Sequence, residues 1–356
     1  TVSVGATVNA GPTETMPVAN VLDYNDRSGG SDRYGTAATV FNNGFGGVAT
    51  VVLSGGQLFP DALSANYLAG KLGTGTLLTK ANDLPAVTRQ AILSHNVSTV
   101  YITGQTGAVS EAVADEIRSL HVSNDPANPL IQVVRLGGAD RYATNQVVNE
   151  FDFTSSDTVL LAAGTGFADA LALGPIAYSS QYPLILTKGG TLGSTEQTQL
   201  NDFSPSNVVI AGGTGVVSQA LEDSLRAKGY NVLRLGGADR TLTAAQVATW
   251  ASVGVGDKTG LSAGPATMLD SDTVYVTNGL GFADALSAGP VAGNGASVIM
   301  PTAGVDKLGA GLASYLGSKA IGALADGTTV DTLHALGLTG AVSNSVMKDA
   351  AAAVGQ

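Results

Sequence analysis

A chain of 356 residues is too long for one ordinary domain and sets an expectation of two or three. Its 17 Lys and Arg against 28 Asp and Glu give a net charge of −11, which repels nucleic acid and anionic membranes at long range, so an anionic partner has to be held by a local site. The chain has no Cys, which excludes disulfide staples and Cys-based zinc sites, and no run of about 18 apolar residues that could span a membrane.

The hydrophobic share of 44% fills cores well, while charged residues make up only 13%, about half the usual share. The polar surface therefore comes from Thr, Ser, Asn and Gln, a composition that suits an extracellular protein of a bacterial surface that avoids disulfides. Thr1 is not a translational start, so the expectation is either a chain that begins after processing, with room for a signal peptide ahead of it, or a piece cut from a longer one.

Residues 1–17, "TVSVGATVNAGPTETMP", are polar, Thr-rich and without helical period. They read as an arm that is disordered, packs on its own body, or adds a strand to a neighbour's sheet. Residues 18–26, "VANVLDYND", read as the leading strand of the first of three repeats. "DYNDRSGG" lacks the register and terminal Glu of a calcium loop, and no metal or other cofactor is assigned. From there strands and helices alternate. "TVVLSGG" (50–56), "TLLTK" (76–80) and "STVYITG" (98–104) are strands. "PDALSANYLAGKL" (60–72), "LPAVTRQAILSHN" (84–96) and "SEAVADEIRSL" (110–120) have helical period. "TVLLAAG", "PLILTK" and "NVVIAGG" repeat the pattern. Near-continuous apolar strands alternating with helices predict parallel sheets covered on both faces, in three α/β modules of about 100 residues. The expected limits are 18–136, 137–235 and 236–356.

Three phrases recur. "GGSDRYGTA" (29–37) returns as "GGADRYATN" (137–145) and "GGADRTLTA" (236–244). "LFPDALSANY" (58–67) returns as "GFADALALGP" (166–175) and "GFADALSAGP" (281–290). "TGQTGAVS" (103–110) returns as "AGGTGVVS" (211–218) and "LGLTGAVS" (336–343). Asp32 to Asp61 and Asp140 to Asp169 are both 29 residues apart, and Asp61 to Ser110 and Asp169 to Ser218 are both 49. The third copy has intervals of 45 and 59, which place insertions near 255–269 and between about 301 and 330, in surface loops. Ser110, Ser218 and Ser343 open amphipathic segments as N-caps, and Gly229 closes one.

Two readings of the recurring charges stand side by side. Asp61, Asp169 and Asp284 lie just inside predicted helix N-termini, where a negative charge is stabilised by roughly 0.3–1 kcal/mol. An Arg held against such an acid makes a bidentate brace between elements. Alternatively Arg33, Arg141 and Arg240 grip an anionic ligand at equivalent sites, each oriented by its acid. Lys80 and Lys188 end equivalent strands, where parallel α/β sheets bind ligands; the third copy has "IMPT" there and no Lys. No catalytic set is found. His95, His121 and His334 do not recur and have no sequence neighbour at ligand or triad spacing. A Gly-x-Gly-x-x-Gly loop after a first strand and a Walker lysine are both missing.

The combination of Gly-x-Asp-Arg-Tyr, Phe-x-Asp-Ala-Leu and Gly-x-Val-Ser phrases resembles the cell-wall-binding repeat 2 family of Gram-positive surface proteins, from about residue 18 to the end. The resemblance implies three Rossmann-like, toprim-like modules packed about a pseudo-threefold axis. It also implies non-covalent attachment to an anionic wall glycopolymer and a link to surface (S-) layers. On that analogy Asp32, Arg33 and Tyr34, Asp140, Arg141 and Tyr142, and Asp239 and Arg240 lie near the module junctions. Thr241 stands where a third Tyr is expected, so the three sites are not equal. Family members commonly carry a separate effector region, and none is expected within these 356 residues. Two expectations follow: a non-enzymatic wall-binding module, or a subunit that assembles with copies of itself into a surface layer or filament.

Overall fold

The computed structural model describes residues 26–152, 155–253, 269, 272–320 and 330–355. The arm at 1–17, residues 18–25 and most of the predicted insertions fall outside these described residues. The described chain opens with β1 (Arg27–Ser28) and α1 (Arg33–Gly44), followed by β2 (Thr50–Gly55), α2 (Pro60–Leu72), β3 (Thr76–Thr79), α3 (Ala86–Ser94), β4 (Thr99–Thr103), α4 (Glu111–Arg118) and β5 (Gln132–Leu136). The second module runs through α5 (Arg141–Glu150), β6 (Thr158–Ala163), α6 (Ala168–Ser179), β7 (Leu184–Thr187), α7 (Ser194–Phe203), β8 (Asn207–Ala211), α8 (Gln219–Ala227) and β9 (Asn231–Leu235). The third comprises α9 (Arg240–Val253), β10 (Thr273–Thr277), α10 (Ala288–Asn294), β11 (Val298–Pro301), α11 (Ala310–Ala320), β12 (Thr332–Leu336) and α12 (Asn344–Ala353).

The strands form three four-stranded sheets, ordered β3-β2-β4-β5, β7-β6-β8-β9 and β1-β12-β10-β11, and every pairing is parallel. Helices cover both faces, which is why the inner strands read as unbroken apolar runs: Val51, Val52 and Leu53 of β2 and Val159, Leu160 and Leu161 of β6 are fully buried. In each sheet the chain leaves the first long strand to one side and returns on the other. This creates a crevice at the carboxyl ends of β2 and β4, of β6 and β8, and of β10 and β12. The apolar interior is continuous through all three modules, except that Val159, Leu161, Ile185, Phe203 and Val208 form a separate cluster on one face of the second sheet.

The predicted caps form. The Ser110, Ser218 and Ser343 hydroxyls accept from the N–H groups of Val113, Leu221 and Val346 at 3.4, 3.1 and 3.3 Å. Gly229 takes the left-handed φ of 94° that closes α8.

One expectation falls outside the described residues and one needs correction. The leading strand expected at 18–26 lies outside them except for Asp26; the short strand that follows, Arg27–Ser28, does not join the first sheet. It pairs with Ala335 and Leu336, so the start of the described chain completes the third sheet. Each module hands its fourth strand's successor to the next helix, and the third obtains its fourth strand from the other end of the chain. Asp284 also differs from Asp61 and Asp169: it sits in a turn ahead of α10, not inside a helix. Ser287, Gly293 and Gly295 replace Ala172, Tyr178 and Ser180 of the second copy. The turn is held by i→i+3 bonds (Ala285 N–H to Phe282 O, 3.1 Å; Ala288 N–H to Ala285 O, 3.1 Å) where α-helix runs in the other copies; Ser287 is not the cause, since Ser64 stands at the same place inside α2.

The helices after the Phe-x-Asp phrase, α2, α6 and α10, pack against one another at the centre of the molecule. Close approach requires small residues. A Cβ on Gly293 would stand 2.5 Å from Pro175 O, and one on Gly174 only 3.1 Å from Asn66 Nδ2.

Candidate functional site at the module junctions

The Asp of each Asp-Arg phrase is a helix N-cap. Asp32 Oδ1 accepts from the N–H groups of Tyr34 and Gly35 at 3.0 and 2.9 Å, and Asp140 Oδ1 from Tyr142 and Ala143 at 2.9 and 2.9 Å. Asp239 Oδ1 accepts from Thr241 and Leu242 at 2.9 and 3.0 Å, and from the Thr241 hydroxyl at 2.7 Å. The Leu242 N–H and the Thr241 hydroxyl hold the Asp239 carboxyl below its ordinary range.

With the acid capping, the adjacent Arg is aimed across the junction. Arg33 Nη1 donates to Gly56 O at 2.5 Å, Arg141 Nη1 to Gly164 O at 2.7 Å, and Arg240 Nη1 to Gly279 O. Each guanidinium lies over a Phe of the preceding module in cyclic order: Arg33 over Phe282 at 5.6 Å, Arg141 over Phe59 at 5.5 Å and Arg240 over Phe167 at 5.5 Å. The three rings form a near-equilateral triad, with centroids 6.1, 5.6 and 5.7 Å apart, which marks the pseudo-threefold axis. Each cation–π contact is worth about 0.5–2 kcal/mol, depending on its desolvation. The carboxylate–guanidinium bidentate brace expected from the sequence is not what forms. No Arg of this set makes a salt bridge among the described residues; the carbonyl and the ring take its place.

The acids of the Phe-x-Asp phrase lie deeper, against the glycine that ends the facing strand. A Cβ on Gly104 would be 2.5 Å from Asp61 Oδ2, one on Gly212 2.9 Å from Asp169 Oδ2, and one on Gly337 2.6 Å from Asp284 Oδ2. All three glycines have positive φ, of 105°, 118° and 88°. Asp284 also accepts from the Thr36 hydroxyl of the first module at 2.7 Å. Burial pushes Asp61 up to about 6 and raises Asp169, with Arg141 and Arg240 respectively opposing. An acid whose folded pKa exceeds its unfolded value of about 3.9 costs stability once it ionises. The Asp61 penalty is therefore absent below about pH 4, grows between pH 4 and 6, and is complete above. Asp61→Asn is expected to raise the urea midpoint at pH 8 but not at pH 4, by an amount equivalent to about 2 kcal/mol once residual solvent contact is allowed for. Equal shifts at both pH values would refute the assignment.

Tyr34 and Tyr142 pack on the glycine after the first strand: a Cβ on Gly56 or Gly164 would be 2.8 Å from the ring. In the third copy Thr241 turns inward instead and accepts from Gly311 N–H at 3.1 Å. Lys80 and Lys188 are exposed. Lys80 pairs with Asp83 at 2.8 Å, and Lys188 lies over the Tyr142 ring at 5.4 Å.

Two features escaped the sequence reading. An Arg stands five residues before each Asp-Arg aspartate and clamps the loop after the third strand of its sheet. Arg135 Nη1 donates to Gly104 O and Val109 O at 3.1 and 2.8 Å, and Arg234 Nη1 to Gly212 O and Val217 O at 2.8 and 2.8 Å. Arg27 Nη1 donates to Gly337 O and Val342 O at 3.0 and 2.9 Å. The equal five-residue interval was the available signal. The second feature is at His334. Its Nδ1 faces Asp26 Oδ2 at 2.5 Å and its Nε2 faces Ser28 Oγ at 2.9 Å. This is an Asp-His-Ser order, but Ser28 is only 2% exposed, so no substrate reaches it and the trio fastens β1 to β12. Its members are too far apart in sequence to be seen as a set.

Residues 27–114, 135–222 and 234–347 each match the family described as cell wall binding domain 2 (CWB2). The chain is 29% identical over 304 residues to N-acetylmuramoyl-L-alanine amidase LytC of Bacillus subtilis, covering 85% of this chain and 55% of that protein. It is 28% identical over 276 residues to the Amidase enhancer of the same organism, covering 77% and 34%. It thus spans roughly half or less of these relatives. Among solved structures, Cwp6 from Clostridium difficile superposes with a TM-score of 0.77 at 23% identity, over 98% of this chain and 50% of that one. Cwp8 from the same organism gives 0.74 at 23% identity, over 93% and 51%.

Proposed function

The chain belongs to the cell wall binding domain 2 family, and from that premise we propose that it is a non-enzymatic protein of the Gram-positive cell surface that holds an anionic wall glycopolymer non-covalently through its three modules. The observation that carries this reading is the convergence of Arg33, Arg141 and Arg240 around the Phe59–Phe167–Phe282 triad, at the strand ends where α/β sheets present ligand sites. Guanidinium forks suit phosphate and carboxylate groups, and three of them give a repeating polymer several points of hold. In a molecule of net charge −11 these local cations supply the attraction that the overall field does not.

Co-sedimentation with purified Bacillus subtilis walls tests the reading. Changing Arg33, Arg141 and Arg240 together to Ala is expected to lower retention at least tenfold, with folding checked by circular dichroism. A folded triple variant retained like the parent would remove the ligand role of these arginines.

A second reading, a subunit that assembles with its own copies, is favoured by Leu58, Leu280 and Leu338, exposed by 65%, 67% and 52% in turns that follow strands. Negative-stain microscopy of the pure protein, with and without residues 1–17, decides it. Arrays that need the arm support assembly, and dispersed particles in both samples reject it.

A further inference from the structure

The three junctions share one plan, and besides the Thr241 and Asp284 differences already described they differ in the residue after the positive-φ glycine: Gln105, Gly213 and Leu338. At the first junction Gln105 Nε2 reaches over to the second module and donates to Gly137 O at 2.9 Å. At the junction closing the chain, Leu338 leans on Gly29, whose added Cβ would be 2.8 Å from Leu338 Cδ2. At the junction of the second and third modules Gly213 has no side chain to place there. A cleft of about 480 Å3 lies in its stead, walled by Phe59, Phe167, Asp169, Gly213, Ala238 and Arg240. That volume is within the roughly 300–1,000 Å3 of small-molecule sites. The cleft also occupies the crevice at the carboxyl ends of β6 and β8, where strand order reverses.

The lining is not that of a simple anion site. Asp169 and Arg240 offer an acceptor and a donor side by side, backbone groups of Gly213 and Ala238 add to them, and two Phe rings supply apolar wall. A carboxylate accepting from hydroxyls, a guanidinium donating to ring or acyl oxygens, and aromatic carbon against C–H faces together recognise a hydroxyl-rich pyranose. We propose that the cleft between the second and third modules seats one sugar residue of the wall glycan, and that Gly213 is the residue that leaves this junction open. The inference rests on the wall-binding reading and narrows it from three sites to one principal site, with the remaining arginines holding the polymer's charged groups alongside.

Gly213→Gln tests this, because it copies what the first junction already contains. Gly213 does not have positive φ, and its added Cβ would meet Gly237 O at an ordinary 3.5 Å, so the substitution leaves the fold intact. Retention on purified Bacillus subtilis walls is measured for the parent, Gly213→Gln and Gly213→Ala, with urea midpoints alongside. Expected are a loss of tenfold or more for glutamine, which spans the cleft, and a change under twofold for alanine, which does not. Parent-like retention of Gly213→Gln, or an equal loss with alanine, would overturn the cleft assignment while leaving the wall reading in place. Failure of the parent itself to bind walls would overturn the wall reading.

Discussion

Gly70→Val is expected to lower the stability of the chain by about 3 kcal/mol or more, seen as a fall in the urea midpoint. Gly70 lies on α2 where that helix crosses α6. A Cβ there would stand 2.8 Å from Tyr178 Cα and 2.9 Å from Tyr178 C, and closer still to the Tyr178 carbonyl oxygen. All of these are backbone atoms, so no side chain can swing aside and the two helices have to separate. Separation also lifts Phe59 from Phe167, the contact that joins the first and second modules at the axis. Gly46→Ala is the control: an added Cβ at Gly46 finds nothing within 4 Å, and its effect should stay within about 0.5 kcal/mol. If the Gly70 variant matches the control, the helix crossing is not what fixes the modules.

The physical source of that contact also explains what could be read from the sequence and what could not. Strands, helices and caps follow from local pattern. "PDALSANYLAGKL" spans the same 13 residues as α2, because Pro60 begins it, Lys71 lies in its last turn and Gly73 closes it with φ of 61°. Matched intervals between Asp32, Asp61 and Ser110 and their second-copy equivalents revealed the modules, because each interval measures one structural unit. The partners of the charged residues could not be read in this way. Whether Arg141 meets Asp61 or Phe59 depends on how two modules dock, and both candidates occur in the same recurring phrase. Sheet membership of Arg27–Ser28 was equally hidden: its partner strand lies more than 300 residues away, and two residues carry no periodicity.

Arg27→Ala is the second large effect, expected at about 4 kcal/mol and confined to the third module. Arg27 holds Gly337 O, Val342 O and Asn344 Oδ1, and burial lowers its pKa. Truncation leaves partly buried carbonyls without their charged donor, at roughly 1–3 kcal/mol each. It also loosens β1, which has only two paired residues. Arg135 and Arg234 make the same clamp within a continuous stretch of chain, whereas Arg27 makes it between segments that only folding brings together. Urea unfolding of Arg27→Ala, followed by hydrogen exchange, should show β12 and α12 opening at lower denaturant than β4 and β8. A single transition, shifted equally for all three sheets, would contradict the local origin of the effect.

The sheet that borrows its edge from the opposite end of the polypeptide also settles how many units the body can hold. Solenoid repeats stack along a line and leave an open face for one more copy. Here the ring is closed: β1 takes in the third sheet the place that β5 and β9 take in the first two, Arg33 of the first module lies over Phe282 of the third, and the three Phe rings pack directly on one another at the axis. Growth by duplication would have to start a separate body, so in this architecture the number three is a geometric stop.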